Sequence, residues 1–322
     1  MSPDAPRVAR LGGRFGCALT VDVEEWYHTC LVPGYVNPEG RPPLCQELDW
    51  LLPELLEMLS DAGSTATFFV LGEVAECLPR RVREIAEAGH EIGSHGYLHL
   101  RAMDRSPRAF AADLHRSKAL LEDLVGEPVL GFRAPEWSLR SLGNARLPLV
   151  ADAGFLYDSS LAPCAFSGRP TNPRFASRLN WRTRQLLEFP PLTFGGVLRL
   201  PAGSWTGRLA SPETLVLAAL DHRDRGGLPV AVVHPWEVSG RPTPGRLTGL
   251  AWFIHETGRL GFAERFRELL RTLPWASISD AAGLRGGGER AAVPLHALAC
   301  QSGTRTSGWL ASAARSLLSK GV

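Results

Sequence analysis

The stretch Ala66–His99, ATFFVLGEVAECLPRRVREIAEAGHEIGSHGYLH, reads as one complete strand–helix–strand unit. ATFFVL (Ala66–Leu71) is an apolar run of buried-strand length, and Glu73–Ala88 repeats apolar residues at helical spacing. A second strand follows near His90–Gly93, and His95 and His99 stand directly after it. The same alternation continues on both sides. Upstream lie a strand at Gly16–Val23 and a helix at Leu48–Leu59. Downstream come a helix at Arg108–Leu124, a strand near Val129–Arg133, a strand at Phe155–Asp158 and the apolar region Leu187–Leu200. A helix at Pro212–Asp224, a strand at Val230–Val233, a helix at Ala263–Leu273 and a last strand around Ala276–Ile278 complete the series. Repeated βα units imply parallel strands with helices outside, and about seven strands favour a distorted (β/α)7-type barrel. A doubly wound open sheet is the alternative. No GxGxxG or GxxxxGK[ST] follows any of these strands, which removes the usual dinucleotide and phosphate-loop readings.

The 322 residues allow one large catalytic domain with short extensions. We read residues 1–14 as a lead, 15–283 as the domain and 284–322 as a linker (LRGGGER, Leu284–Arg290) and tail. Lys+Arg exceed Asp+Glu by 35 to 33, so charge gives no reason to expect nucleic acid as a partner. No apolar run reaches the ~18 residues of a membrane span, and the N-terminus lacks a continuous apolar signal core, so no transmembrane segment is expected. The six cysteines (Cys17, Cys30, Cys45, Cys77, Cys164, Cys300) form no CxxC pair. A reducing, cytoplasmic compartment fits that usage. In the tail, Trp309, Leu310, Ala313, Ala314, Leu317 and Leu318 recur at helical spacing, compatible with a docked helix or a peripheral contact at the inner membrane face.

Polar residues collect where the apolar strands end. In ALTVDVEE, a period of two puts Asp22 and Glu24 on one side of the strand and Val23 and Glu25 on the other. His95 and His99 are spaced to bring two imidazoles to one point, and two imidazoles with one carboxylate make a typical catalytic zinc or iron(II) site. Arg133, in GFRAPEWSL, has the fork geometry to hold a carboxylate, and the strand PVAVV delivers His234 to its carboxyl end. Each fragment alone also fits something plainer: a solvated strand end, chance HxxxH spacing, a surface ion pair, a core histidine.

Taken in order, these pieces resemble the polysaccharide deacetylases of the NodB-homology type, carbohydrate esterase family 4, over roughly residues 15–283. The strings VDVE, SHGYLH, RAP, YDSS, LEFP and HPWE are most similar to the branch associated with exopolysaccharide synthesis and exosortase systems. The resemblance implies a metal-dependent hydrolase that removes N-acetyl groups from amino sugars of a glycan or glycan precursor. Asp22 would be the base, with Glu24, His95 and His99 as metal ligands and Glu25 as a substitute for Glu24. Zn2+ is favoured, and Ni2+, Co2+ or Fe2+ fit the same triangle. Arg133 would hold Asp22, His234 would be the acid, and Asp158 would orient His234 or pair with Arg133. Glu136 stands where the family usually has tyrosine, so its backbone N–H would face the oxyanion, with Trp137 beside it on the substrate side. Val232 would line the acetyl pocket, and Trp205 and Trp236 suit either sugar stacking or the core. Two other functions compete: hydrolysis of a cyclic amide or formamide on the same fold, and non-catalytic glycan binding.

Overall fold

A computed structural model describes residues 5–13, 15–29, 45, 47–196, 199–241 and 247–285. Twelve strands follow in chain order: β1 (Arg7–Arg10), β2 (Cys17–Val23), β3 (Thr67–Val70), β4 (Glu91–Ser94), β5 (Gly131–Phe132), β6 (Tyr157–Asp158), β7 (Ser177–Asn180), β8 (Gln185–Glu188), β9 (Thr193–Phe194), β10 (Leu200–Pro201), β11 (Val230–Val233) and β12 (Trp275–Ala276). The helices are α1 (Leu48–Asp61), α2 (Gly72–Cys77), α3 (Pro79–Glu87), α4 (Pro107–Val125), α5 (Leu147–Asp152), α6 (Ser204–Leu209), α7 (Pro212–Asp224), α8 (Gly249–Glu256), α9 (Phe262–Thr272) and α10 (Ile278–Ala281).

One sheet runs β1-β7-β8-β6-β5-β4-β3-β2-β11, with β12 also paired to β2. From β11 through β2, β3, β4, β5 and β6 to β8 every pairing is parallel, giving the seven parallel strands expected of the βα repeat. The β7–β8 and β1–β7 pairs are antiparallel and extend one edge. Single backbone bonds bridge the two ends of the parallel set. Leu192, just past β8, donates to Val230 at 2.9 Å, and Val232 donates to Ala202 at 3.1 Å. No ladder joins β8 to β11 among the described residues.

The period of two decides what each strand residue does. Leu19, Val21 and Val23 of β2, Phe68 and Val70 of β3 and Val233 of β11 share a core cluster with Leu48, Leu52 and Leu55 of α1 and with Phe110 and Leu114 of α4. The alternate residues Ala18, Phe69, Tyr157 and Val230 form a second cluster on the other face of the strands. Asp22 shares that face with Ala18 and sits at its carboxyl end. Two glycines give the large rings their room. A Cβ at Gly93 would lie 2.6 Å from the Phe69 ring, and one at Gly131 would lie 2.1 Å from the Tyr157 ring.

Helix boundaries follow local chemistry. Ser106 and Ser211 cap α4 and α7 with their hydroxyls, and Pro107 and Pro212 occupy the first turns. The single helix expected over Glu73–Ala88 is two, because Pro79 opens α3 and cannot continue α2. The strand expected near Ala276–Ile278 ends at Ala276, where Ser277 caps α10. The region Leu187–Leu200 divides among β8, β9 and β10. Residues 1–285 form one compact unit. The glycine-rich linker beyond Arg285 and the amphipathic tail lie outside the described residues.

Candidate active site

Four parallel strands deliver their polar residues to one end of the sheet. Glu24 follows β2, His95 and His99 follow β4, Arg133 follows β5 and His234 follows β11. One ligand atom each from Glu24, His95 and His99 lie within 4.8 Å of one another, and this is the one such metal-type cluster among the described residues. Glu24 Oε2 is 2.6 Å from His99 Nε2 and 4.0 Å from His95 Nε2. That oxygen is buried, with the two imidazole nitrogens as its polar neighbours. The Nδ1 of His95 bonds the Arg133 carbonyl oxygen at 2.8 Å, which leaves Nε2 to face the cluster. Burial pushes the His95 imidazole down to about 4, so it stands as the neutral ligand form. His99 is stacked on His28, with ring centroids 5.7 Å apart. A buried carboxylate oxygen facing two buried imidazoles is a donor set that fits a divalent cation.

Beside the cluster, Arg133 is fully buried and donates to Asp22 Oδ1 at 2.7 Å, Thr20 Oγ1 at 2.8 Å, Ser159 Oγ at 2.9 Å and the Ser159 carbonyl at 3.2 Å. The pairing of Arg133 with Asp22 therefore holds in the structure. His234 Nε2 lies 3.9 Å from Asp22 Oδ2 and 3.1 Å from Glu24 Oε1. Its Nδ1 is bonded to Glu237 Oε2 at 2.9 Å, and the same oxygen accepts the His234 backbone N–H at 2.9 Å. Behind Glu237 lies the buried guanidinium of Arg208. Burial disfavours the His234 cation, but Glu237 and Glu24 outweigh it and hold the imidazole well above its ordinary value.

One expectation is corrected here. The residue that orients His234 is Glu237, not Asp158. Asp158 accepts from Ser160 Oγ at 2.6 Å and lies beside Glu188, both carboxyls being fully buried. Through Ser160, which also accepts the Ala134 N–H at 2.8 Å, it braces the backbone beyond Arg133. Val232 does not line the main cleft. It packs with Trp137, Ala162 and Cys164 and faces a small apolar space with Gly203 and Ser204.

Glu25 is engaged by hydrogen bonds of its own. Its Oε1 accepts the backbone N–H groups of Glu47 at 2.9 Å and Leu48 at 3.1 Å, satisfying donors at the start of α1. Glu25→Ala is expected to leave bound metal unchanged and to lower unfolding stability by about 1–2 kcal/mol, the range of a lost helix cap. Metal analysis beside a denaturation curve checks both, and loss of metal would return Glu25 to the ligand set.

The cleft over these residues has a volume of about 350 Å3. Trp137, Trp205 and Trp236 line it, as does Glu136. Glu136 and Trp137 both hold left-handed backbone, with φ of 54° and 48°, a strain of the kind that concentrates at functional sites. Trp236 is turned to the imidazoles, stacked on His234 at 5.6 Å and tilted against His255 at 4.7 Å. Trp205 is more open and meets Phe253 at 5.9 Å.

Sequence reasoning missed Glu237, Arg208 and His28. For Glu237 a signal existed, since an acid three residues after His234 and two after Pro235 returns to its own cap when the chain turns tightly.

Comparison with known proteins accords with this geometry. A family described as polysaccharide deacetylase matches residues 49–151, and one described as a domain of unknown function (DUF3473) matches residues 159–283. His95, His99 and Arg133 fall in the first, and His234 and Glu237 in the second. Peptidoglycan deacetylase of Helicobacter pylori is 33% identical over 110 residues, 34% of this chain and 36% of that protein. Chitooligosaccharide deacetylase of Azorhizobium caulinodans is 32% identical over 93 residues, 28% of this chain and 44% of that protein. The chain thus spans about a third of the length of the first curated relatives it matches. A crystal structure from Mycobacterium smegmatis, described as a polysaccharide deacetylase, covers 91% of this chain and 99% of its own at a TM-score of 0.58 and 23% identity, which shows a shared fold. Residues 49–151, which carry both histidines and the arginine, thus match the polysaccharide deacetylase family, and most of the chain shares the fold of the Mycobacterium smegmatis structure.

Proposed function

We propose that this protein is a metal-dependent hydrolase that removes N-acetyl groups from amino sugars of a glycan. The observation that carries the reading is the meeting of the Glu24–His95–His99 cluster with an arginine-held Asp22 and a carboxylate-held His234 at one strand end. The names of the peptidoglycan and chitooligosaccharide deacetylases among its relatives support the substrate class. Residues 15–283 would form the catalytic domain and 284–322 an extension.

An amide is a weak electrophile with a poor leaving group, so its hydrolysis needs an activated water, a stabilised oxyanion and a proton for the departing nitrogen. A divalent cation held by Glu24, His95 and His99, with Zn2+ favoured by the donor set, would polarise the acetyl carbonyl and make water more acidic. Arg133 holds Asp22 Oδ1 and leaves Oδ2 turned toward His234, where it accepts the proton of the attacking water. Glu237 fixes the His234 ring through Nδ1, so Nε2 is the atom that hands a proton to the sugar nitrogen as the C–N bond breaks. Acetate and the free amine are the products. Trp236 and Trp137 shield this chemistry from bulk water.

The likeness of the VDVE, YDSS, LEFP and HPWE strings supports a place in exopolysaccharide synthesis, on a precursor handled in the cytoplasm. No described helix is long and apolar enough to cross a membrane. Cell fractionation tests the compartment.

Incubation of the metal-loaded protein with N-acetylchitotetraose is expected to release acetate and an equal amount of free amine. Ring opening of a cyclic imide without acetate release from any acetylated sugar would overturn the reading. Glu237→Gln is expected to lower kcat by at least ~10-fold, short of the ~10²–10⁴-fold that loss of the acid itself brings. The same substitution leaves the buried Arg208 charge without its partner, so a double variant with Arg208→Met separates the effects by regaining stability but not turnover.

A further inference from the structure

We infer that Arg140 anchors an anionic group on a sugar next to the one hydrolysed, and so sets the substrate as an acidic glycan; this rests on the deacetylase reading above. Arg140 is exposed and lines the cleft. Among the described residues its guanidinium has no hydrogen-bond or ion-pair partner, although its main chain is firmly held. Its φ is 58°, a left-handed conformation that disfavours any side chain with a Cβ.

Neighbours over-determine that strained backbone. Arg140 N–H donates to the Trp137 carbonyl at 3.1 Å. The buried side-chain amide of Asn172 donates to the Arg140 carbonyl at 2.9 Å and to the Ala162 carbonyl at 3.0 Å. Asn172 thereby ties the Arg140 turn to the loop that carries Phe166 and Ser167, which also line the cleft. A surface arginine without a ligand gains nothing from such a clamp, whereas a recognition residue gains a fixed direction at low entropic loss.

The other charges of the cleft are already engaged. Arg101 donates to Asp104 at 2.7 Å. Glu136 accepts from Thr29 at 3.4 Å and acts on His99, toward the metal-type cluster. Among the described residues Arg140 is left as the exposed cation of the cleft without a charged partner. Its planar fork matches an oxyanion with two oxygens, which a sugar supplies as a uronate carboxylate or a phosphate ester.

The test uses three N-acetylated oligosaccharides of equal length: neutral chitotetraose, a tetramer alternating N-acetylglucosamine with glucuronate, and a tetramer carrying a phosphate ester. Acetate release is followed on the metal-loaded full chain, and affinity is measured by calorimetry on the Asp22→Asn variant. One anionic tetramer is expected to exceed the neutral one by about tenfold in kcat/KM, and which of the two does so names the anion. Arg140→Ala should bring that ratio to about one, and Asn172→Ala should lower it. A ratio near one in the unmodified protein, or one untouched by Arg140→Ala, overturns the inference while leaving deacetylation of the neutral tetramer intact. If no tetramer is hydrolysed, the deacetylase reading fails separately; the calorimetric preference, and its loss when Arg140→Ala is added, still decides for or against the anion site.

Discussion

Alanine at His95 or at His99 is expected to strip the protein of bound metal and to reduce acetate release by at least ~10³-fold. The two imidazoles and Glu24 supply all three protein donors of the cluster, so one substitution leaves two, too few for a closed set in a catalytic site that already keeps a position open. A loss of about 4 kcal/mol of charge stabilisation in the transition state corresponds to that factor. The variants should not behave alike in other respects. His95 Nδ1 bonds the Arg133 carbonyl, so removing this ring also loosens the backbone that aims Arg133 at Asp22. His99 has its ring stacked on His28 and is expected to disturb folding less. Elemental analysis of dialysed protein, followed by return of Zn2+, Co2+, Ni2+ or Fe2+ to the chelated wild type, checks the assignment and ranks the metals. A full equivalent of metal retained by both variants would move the site elsewhere.

The residues that proved legible were those whose position follows from strand periodicity and strand ends. Val230–Val233 appears where the apolar run puts it, and His234 follows as the first polar residue. Asp22 was readable because β2 alternates and its face could be counted. What escaped depends on contacts that periodicity does not encode. β1 is exposed at every position, so RVAR carries no apolar alternation and becomes a strand only by pairing with Ser177–Asn180. Helix α8 escaped for a related reason, with Leu250, Trp252 and Phe253 exposed in place of an inward stripe. Within Glu73–Ala88 the residues Val74, Val82 and Ile85 are buried at spacings one helix could satisfy, and only Pro79 marks the break. Asp158 misled because the family pattern assigns an aspartate to the histidine. Here the tight turn at Pro235 brings Glu237 back onto His234, and Asp158 is free to share its buried site with Glu188.

Asn at position 22 is expected to separate chemistry from architecture. The amide keeps an oxygen where Arg133 donates, so its bonds to Thr20 and Ser159 continue to seat the guanidinium. What disappears is the carboxylate proposed to take the proton of water, and turnover should fall by about 10²–10⁴-fold with bound metal unchanged. Arg133→Met is expected to act in the reverse order. Removing a fully buried guanidinium leaves Asp22, Thr20 Oγ1 and the Ser159 carbonyl without their donor, and breaking a buried ion pair from one side typically costs about 3–5 kcal/mol. Turnover falls in this variant as well, because an unheld Asp22 no longer keeps Oδ2 in reach of the cleft. Thermal unfolding, metal content and acetate release measured on both proteins give the contrast. Asp22→Asn should melt near the wild type and be almost inactive, and Arg133→Met should melt well below it. If Asp22→Asn retains near-normal turnover, the base is another group, and the Arg133–Asp22 pair then contributes to stability alone.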